Sequence, residues 1–436
     1  MVQSLPVQRL EAVPLDERRS STASKENVKM VTSINFRKEV ELLIACARVD
    51  PSAEVRKRIG ELVHSDLDWD YTLQLADRHG VLALLYWNLK DDDIPISVEH
   101  RLQLAFTRNV EMNLFRTREM LNVLSLFEDL QIPALCFKGP LLALLAYGNV
   151  GLRQFSDLDI LVKKRHLHRA RQHLLAHGYT LGVALSWWQT QFPLLSKRKD
   201  NILVKRDQGI VVELHGKLSG SHFRFPLSLG SLLPTLAATE VGGKKVCDLP
   251  PETLLSYLCL HGSRHSWERL LWISDVAQIV RSHDELDWAS VVEQARELGN
   301  RRTLALGLLL ARDLLDAPVP RHVLDQLEIE PATESLALSL RNALFQAASG
   351  EKGITYWHEL HLRMRERFSD RLRLRAHYCR RYLRQALVPN ELDHAMIALP
   401  RELSFLYYLL RSFRLSKQFF VSRVQKTFGI PPGPMP

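Results

Sequence analysis

The sequence predicts an α+β protein in which a small mixed-sheet core is flanked by N-terminal and C-terminal helical regions. Three observations predict it. From about residue 34 to 130, and again from 246 to 425, apolar residues recur at spacings of three and four, as on helices with one buried face. Between 131 and 245 the pattern changes to short, nearly all-apolar runs bounded by Gly, Pro and Asp, which read as strands. Carboxylates stand inside those runs: Asp157 and Asp159 in "DLDILV", and Glu213 in "VVELHG".

The chain has 436 residues, more than one core usually serves. Its 46% apolar and 25% charged residues are those of a globular protein, and no sequence period recurs. The five cysteines, Cys46, Cys136, Cys247, Cys259 and Cys379, are scattered and never form a CxxC pair, which argues against a disulfide framework or a zinc cluster. The first residues hold no apolar core long enough for a signal peptide, and no run of about 20 residues escapes charge, so a cytoplasmic protein without a transmembrane segment is expected.

Element by element, residues 1–33 mix Ser, Pro, Lys and Glu without periodicity and read as a mobile tail. Helices follow to about residue 130. "IPALCF" after them is a short buried strand, and "GPLLALLAYG" a helix opened by Gly139-Pro140 and closed by Gly148. "DLDILV" is a second strand, "RHLHRARQHLLAHG" a helix, and "NILVKRDQGIVVELHG" two strands joined at Asp207-Gln208-Gly209. Helix periodicity then returns, with breaks near Asp287, "LDAPVPRHV" and "LVPNELD", before the irregular tail 426–436. "SWWQTQF", Ser186 to Phe192, reads as core or lid packing rather than a base-stacking platform.

The chemistry starts from the acids. Residues two apart on a strand share a face at a spacing of roughly 6.6 Å, so Asp157 and Asp159 lie in each other's field. A carboxylate among apolar neighbours is costly to bury unpaired. Asp157, Asp159 and Glu213 most economically share a divalent cation, and hard oxygen ligands suit Mg²⁺. Lys138-Gly139 stands at a strand-to-helix turn just before them. Glycine permits close backbone approach, the helix N-terminus offers amides, and Lys138 or Arg153 supplies positive charge for a phosphate.

In that order of parts the chain resembles the bacterial nucleotidyltransferase-like proteins of the polymerase-β superfamily, in the branch with a Lys-Gly turn where Gly-Ser is commoner. "KGPLLALLAYGNVGLRQFSDLDILV", "VVELHGKL", "HGSRHSWERLLWISDVAQIV" and "LPRELSFLYYLLRSFRL" carry the resemblance, over roughly residues 40–420. It implies a nucleotidyltransferase core in which Asp157 and Asp159 ligate Mg²⁺ or Mn²⁺, Glu213 is the third carboxylate, and an NTP is the substrate. One departure is Gly216, where the branch often has a bulky aromatic.

His261, His265, Glu268, Trp272 and Asp275 follow spacings of 4, 3, 4 and 3, which places them on one helix face. Two readings stay open: a buried polar seam against the core, or His261 and His265 contacting nucleotide or acceptor. The stretch from His361 to Ala386 carries nine arginines against Glu366 and Asp370, most of the chain's net +9. It is either a solvated helix face or a contact for a polyanion, nucleic acid or lipid. The expected activity is transfer of an NMP from an NTP to a hydroxyl of an unidentified protein, small-molecule or RNA acceptor. The alternative is a non-catalytic NTP-binding or scaffold protein in a surface-polysaccharide or defence pathway.

Overall fold

A computed structural model describes residues 36–182, 201–219, 223, 225–346, 354–389 and, in part, 393–416. The stretches expected as tails and the segment from Ser186 to Phe192 lie outside the described residues. Four helices, α1 (Lys38–Cys46), α2 (Ala53–Val63), α3 (Trp69–His79) and α4 (Leu82–Leu89), lead into the long α5 (Ile96–Asp129). The core then runs β1 (Ala134–Cys136), α6 (Pro140–Tyr147), β2 (Asp157–Val162), α7 (Leu167–Ala176), β3 (Thr180–Leu181), β4 (Ile202–Lys205) and β5 (Ile210–His215).

These strands form one mixed sheet in the order β1-β2-β5-β4-β3, in which β2 and β5 are parallel and every other pair is antiparallel. Alternation divides its two faces. Leu158, Ile160 and Val162 of β2, with Val212 and Leu214 of β5, pack on Met120, Val123 and Phe127 of α5 and Ala170 and Leu174 of α7. The opposite face carries Asp157 and Asp159 of β2 with Glu213 and His215 of β5. Gly139, at φ +59°, turns the chain from β1 into α6, and a Cβ there would come within 3.2 Å of the Asp157 carbonyl oxygen. Glycine therefore sets the path of the Lys-Gly turn.

The short α8 (Leu229–Leu232) precedes a two-stranded sheet, β6 (Ala237–Val241) with β7 (Lys244–Asp248), which the periodicity did not reveal. Its signal was Gly242-Gly243, both at positive φ, the two-residue turn that matches hairpin twist. Helices α9 (Pro251–Arg264), α10 (Leu270–Ser282), α11 (Trp288–Leu298), α12 (Arg301–Leu315), α13 (Arg321–Gln326), α14 (Pro331–Leu344), α15 (Ile354–Arg363) and α16 (Phe368–Leu387) complete the chain's described part. The expected break near Asp287 is an N-cap, whose carboxylate accepts from the Ser290 amide at 3.0 Å. Buried residues of α9, α10 and α12 share a single apolar core with those of α1 to α4. No described helix is long and apolar enough to cross a membrane.

Candidate active site

The parallel pairing of β2 with β5 sets Asp159 directly opposite Glu213. Asp159 is fully buried, and both its oxygens are engaged: Lys138 Nζ lies 2.7 Å from Oδ2 and His215 Nε2 lies 2.7 Å from Oδ1. His215 Nε2 is also 3.6 Å from Glu213 Oε2. Burial works against the Asp159 anion, but Lys138 and His215 outweigh it and hold the carboxyl well below the usual range. Glu213 moves the other way: burial, then the Asp159 charge, raises its carboxyl. A carboxylate so repelled is one that an added cation would stabilise.

One donor atom each from Asp159, Glu213 and His215 lie within 4.8 Å of one another, a set of two carboxylates and an imidazole that fits a divalent cation. Asp157, expected among the ligands, is not in that group. It stands at the start of β2 opposite Val211, and its field reaches Lys138, Glu213 and Arg116.

Lys138 is enclosed by the site it neutralises. Its ammonium is desolvated, yet the adjacent Tyr257 hydroxyl and the two aspartates push its pKa upward, so it is charged. Tyr257 comes from α9 and packs edge-on to Phe137 at 5.3 Å, with its hydroxyl beside the Lys138 ammonium. The first turn of α6, with its unpaired amides, begins directly after Gly139.

The structure gives Arg153 a different partner from the expected phosphate. Its Nε and Nη2 donate to Oδ1 and Oδ2 of Asp275 on α10 at 2.7 and 2.8 Å, and Tyr147 Oη donates to Asp275 Oδ1 at 2.8 Å. The pair is buried and bidentate, because a guanidinium enclosed here needs a matching carboxylate. It ties the loop before β2 to the helical region, and α5 holds the same loop: Asn113 Nδ2 donates to the carbonyls of Val150 and Arg153 at 2.7 and 2.9 Å. Arg116 of α5, which no pattern in the sequence singles out, lies within the field of Asp157. Its Nε is buried without a partner among the described residues.

His261 and His265 meet, although not on one helix. The chain breaks after α9, with Ser266 and Trp267 both at positive φ, because the Trp267 indole sits where a Cβ on Gly262 would be and also closes on Gly307. The predicted stripe therefore spans two helices. His261, His265 and Trp272 still cluster, with ring centroids 4.7 to 5.7 Å apart. Burial, then Arg264 and Lys138, push His265 down to about 3. Burial, then Lys138, lower His261 as well. Both imidazoles are neutral at pH 7, beside the Lys138 charge.

The arginine-rich stretch is likewise two helices, α15 and α16, broken around Arg365. Arg365 is buried with its guanidinium 3.8 Å from the Phe223 ring centroid. Arg371 donates to the Arg365 carbonyl, while Arg375 and Arg380 are exposed. Gly216, the departure after His215, lies where a Cβ would come within 2.9 Å of Leu167 Cδ1 on α7, so a larger residue there would need that side chain to move. His215 itself was legible: it stands two residues after Glu213 on a strand and shares its face.

No curated protein and no solved structure matches the chain. The model of a family described as an uncharacterised nucleotidyltransferase matches residues 65–316, a span that holds the sheet, the Lys-Gly turn, the carboxylates and the His261–Trp272 cluster. The chain belongs to that uncharacterised nucleotidyltransferase family.

Proposed function

We propose that the protein is a metal-dependent nucleotidyltransferase of the Lys-Gly branch, moving an NMP from an NTP to a hydroxyl of a protein, small-molecule or RNA acceptor. The observation that carries this reading is the convergence of Lys138, Asp157, Asp159, Glu213 and His215 on one sheet face beside the first turn of α6. Three carboxylates face two basic side chains, Lys138 and Arg116, which leaves negative charge for a cation to balance.

Asp159, Glu213 and His215 would hold Mg²⁺ or Mn²⁺, with Asp157 able to join from the strand's start. When bound, such ions offset charge on the triphosphate and lower the pKa of an attacking hydroxyl. Lys138 and the α6 amides bind the phosphates, and Arg116 supports them from α5. Glu213, half-buried on β5 opposite Asp159, would hold the ion on the attacking side, and the acceptor hydroxyl gives its proton to solvent. The oxygen attacks the α-phosphorus, the bond to the β-phosphate oxygen breaks, and pyrophosphate leaves. His261 and His265, neutral and unable to repel a nearby cation, serve the nucleotide side by stacking or accepting hydrogen bonds. The exposed arginines of α16, Arg375 and Arg380, provide the polyanion contact.

Incubating the protein with each α-labelled NTP, Mg²⁺ or Mn²⁺, and a lysate separated into protein, RNA and small molecules tests the proposal. Label is expected in one fraction and absent with Asp159→Asn. Nucleotide binding without any transfer would favour the scaffold alternative instead.

A further inference from the structure

Asp159 is the most buried of the three carboxylates, and a nitrogen lies close to each of its oxygens. Lys138 Nζ takes Oδ2 at 2.7 Å and His215 Nε2 takes Oδ1 at 2.7 Å. The geometry points to Lys138 as an internal counter-cation that excludes a divalent metal from Asp159 until nucleotide phosphates draw its ammonium away. This rests on the reading of the site as a metal-dependent nucleotidyltransferase and adds the order in which that site is assembled.

Three features support it. An ammonium and a dication a few ångströms apart repel strongly in a site of low dielectric, so the two compete for one carboxylate. Lys138 carries its charge on a flexible four-carbon stem, and it directly precedes Gly139 and the first turn of α6, the place a phosphate would occupy. Rotation of that stem exchanges one anionic partner for another, with no change in the backbone of the Lys-Gly turn. Tyr257, beside the ammonium, is a neutral hydroxyl that can hydrogen-bond the lysine in the closed arrangement without competing for its charge. The consequence is an order of assembly: nucleotide enters first or together with its metal, and free metal alone binds poorly.

The test uses Mn²⁺ alone as the probe, with the full chain and no nucleotide, reading the free ion by electron paramagnetic resonance. Wild type is expected to bind Mn²⁺ weakly, and Lys138→Met to bind it at least about tenfold more tightly, because a competing positive charge is gone. Lys138→Gln, which keeps a donor to Asp159 without the charge, is expected to show the same gain and serves if the Met variant fails to fold. Adding Asp159→Asn to either variant removes the gain. Variants that bind Mn²⁺ no tighter than a Mn²⁺-binding wild type overturn the inference and leave the nucleotidyltransferase reading standing. No Mn²⁺ binding by any form at millimolar ion overturns the metal reading and the inference together.

Discussion

Replacing Arg153 by Met should damage the fold before it touches nucleotide binding. The guanidinium makes two hydrogen bonds to Asp275, at 2.7 and 2.8 Å, and the two side chains are only 7% and 1% exposed. Its loss leaves the Asp275 carboxylate buried with one hydrogen bond among the described residues, from Tyr147 at 2.8 Å. Breaking one side of a buried pair costs about 3–5 kcal/mol, since the remaining charge has no water to replace its partner. For a cooperative unit of a few hundred residues that is a fall in melting temperature of the order of 10 °C. Arg153→Met with Asp275→Leu removes both charges, and should recover a large part of the loss, because well-packed apolar groups replace a buried pair at little net cost. Thermal and urea denaturation of the four corners of this cycle measure the coupling, and calorimetric titration with an NTP measures binding in the folded variants. A single variant with wild-type stability and weakened NTP affinity would refute the reasoning and return Arg153 to the phosphates.

Asp159→Asn and Glu213→Gln should each lower nucleotidyl transfer by more than about a hundredfold with the fold retained, as read by label transfer and circular dichroism. Gly139→Ala should cost about 1–3 kcal/mol in urea denaturation, because a left-handed φ of +59° and an approach of 3.2 Å to the Asp157 carbonyl oxygen both penalise a Cβ. Stability should fall as pH drops from about 6.5 through the shifted values of His79 and His361, about 4, toward that of His265, about 3. The sign follows from depressed values: the folded chain keeps these imidazoles neutral while the unfolded chain takes up protons, so the stability present above pH 6.5 is lost on acidification. Melting temperatures across pH 7.5 to 4 check it, and a flat profile would contradict the burial of these rings. Arg375→Glu with Arg380→Glu should weaken polyanion binding and reduce its slope against log salt by roughly 0.7–0.9 for each phosphate that is no longer neutralised. Anisotropy with RNA, DNA and anionic vesicles reads this, and no binding of any of them at low salt would retire the proposed polyanion surface.

Local chemistry made much of this protein legible in advance. Period changes near residue 131 and after the hairpin separate strands from helices, and the structure follows them because one-sided burial is what creates the periods. Gly139-Pro140 and Gly148 bound α6, since positive φ and a missing amide are needs of single residues. Asp157, Asp159 and Glu213 stood out because carboxylates inside apolar strands are costly without a partner. Gly242-Gly243 was equally readable and marks a hairpin that apolar spacing alone does not show.

The partners of these groups were decided by tertiary structure. Only the parallel pairing of β2 with β5 puts Asp159 opposite Glu213, brings His215 onto Asp159, and leaves Asp157 to one side. Arg153 had a plausible phosphate role by its place in the chain, but its carboxylate lies 122 residues away on α10, a distance no local pattern encodes. The histidine stripe had helical spacing, yet Trp267 breaks the helix to fill space beside Gly262 and Gly307, and the rings converge across the break. Spacing along a chain sets which way a side chain points, whereas the neutralisation of a buried charge depends on whichever segment packs against it.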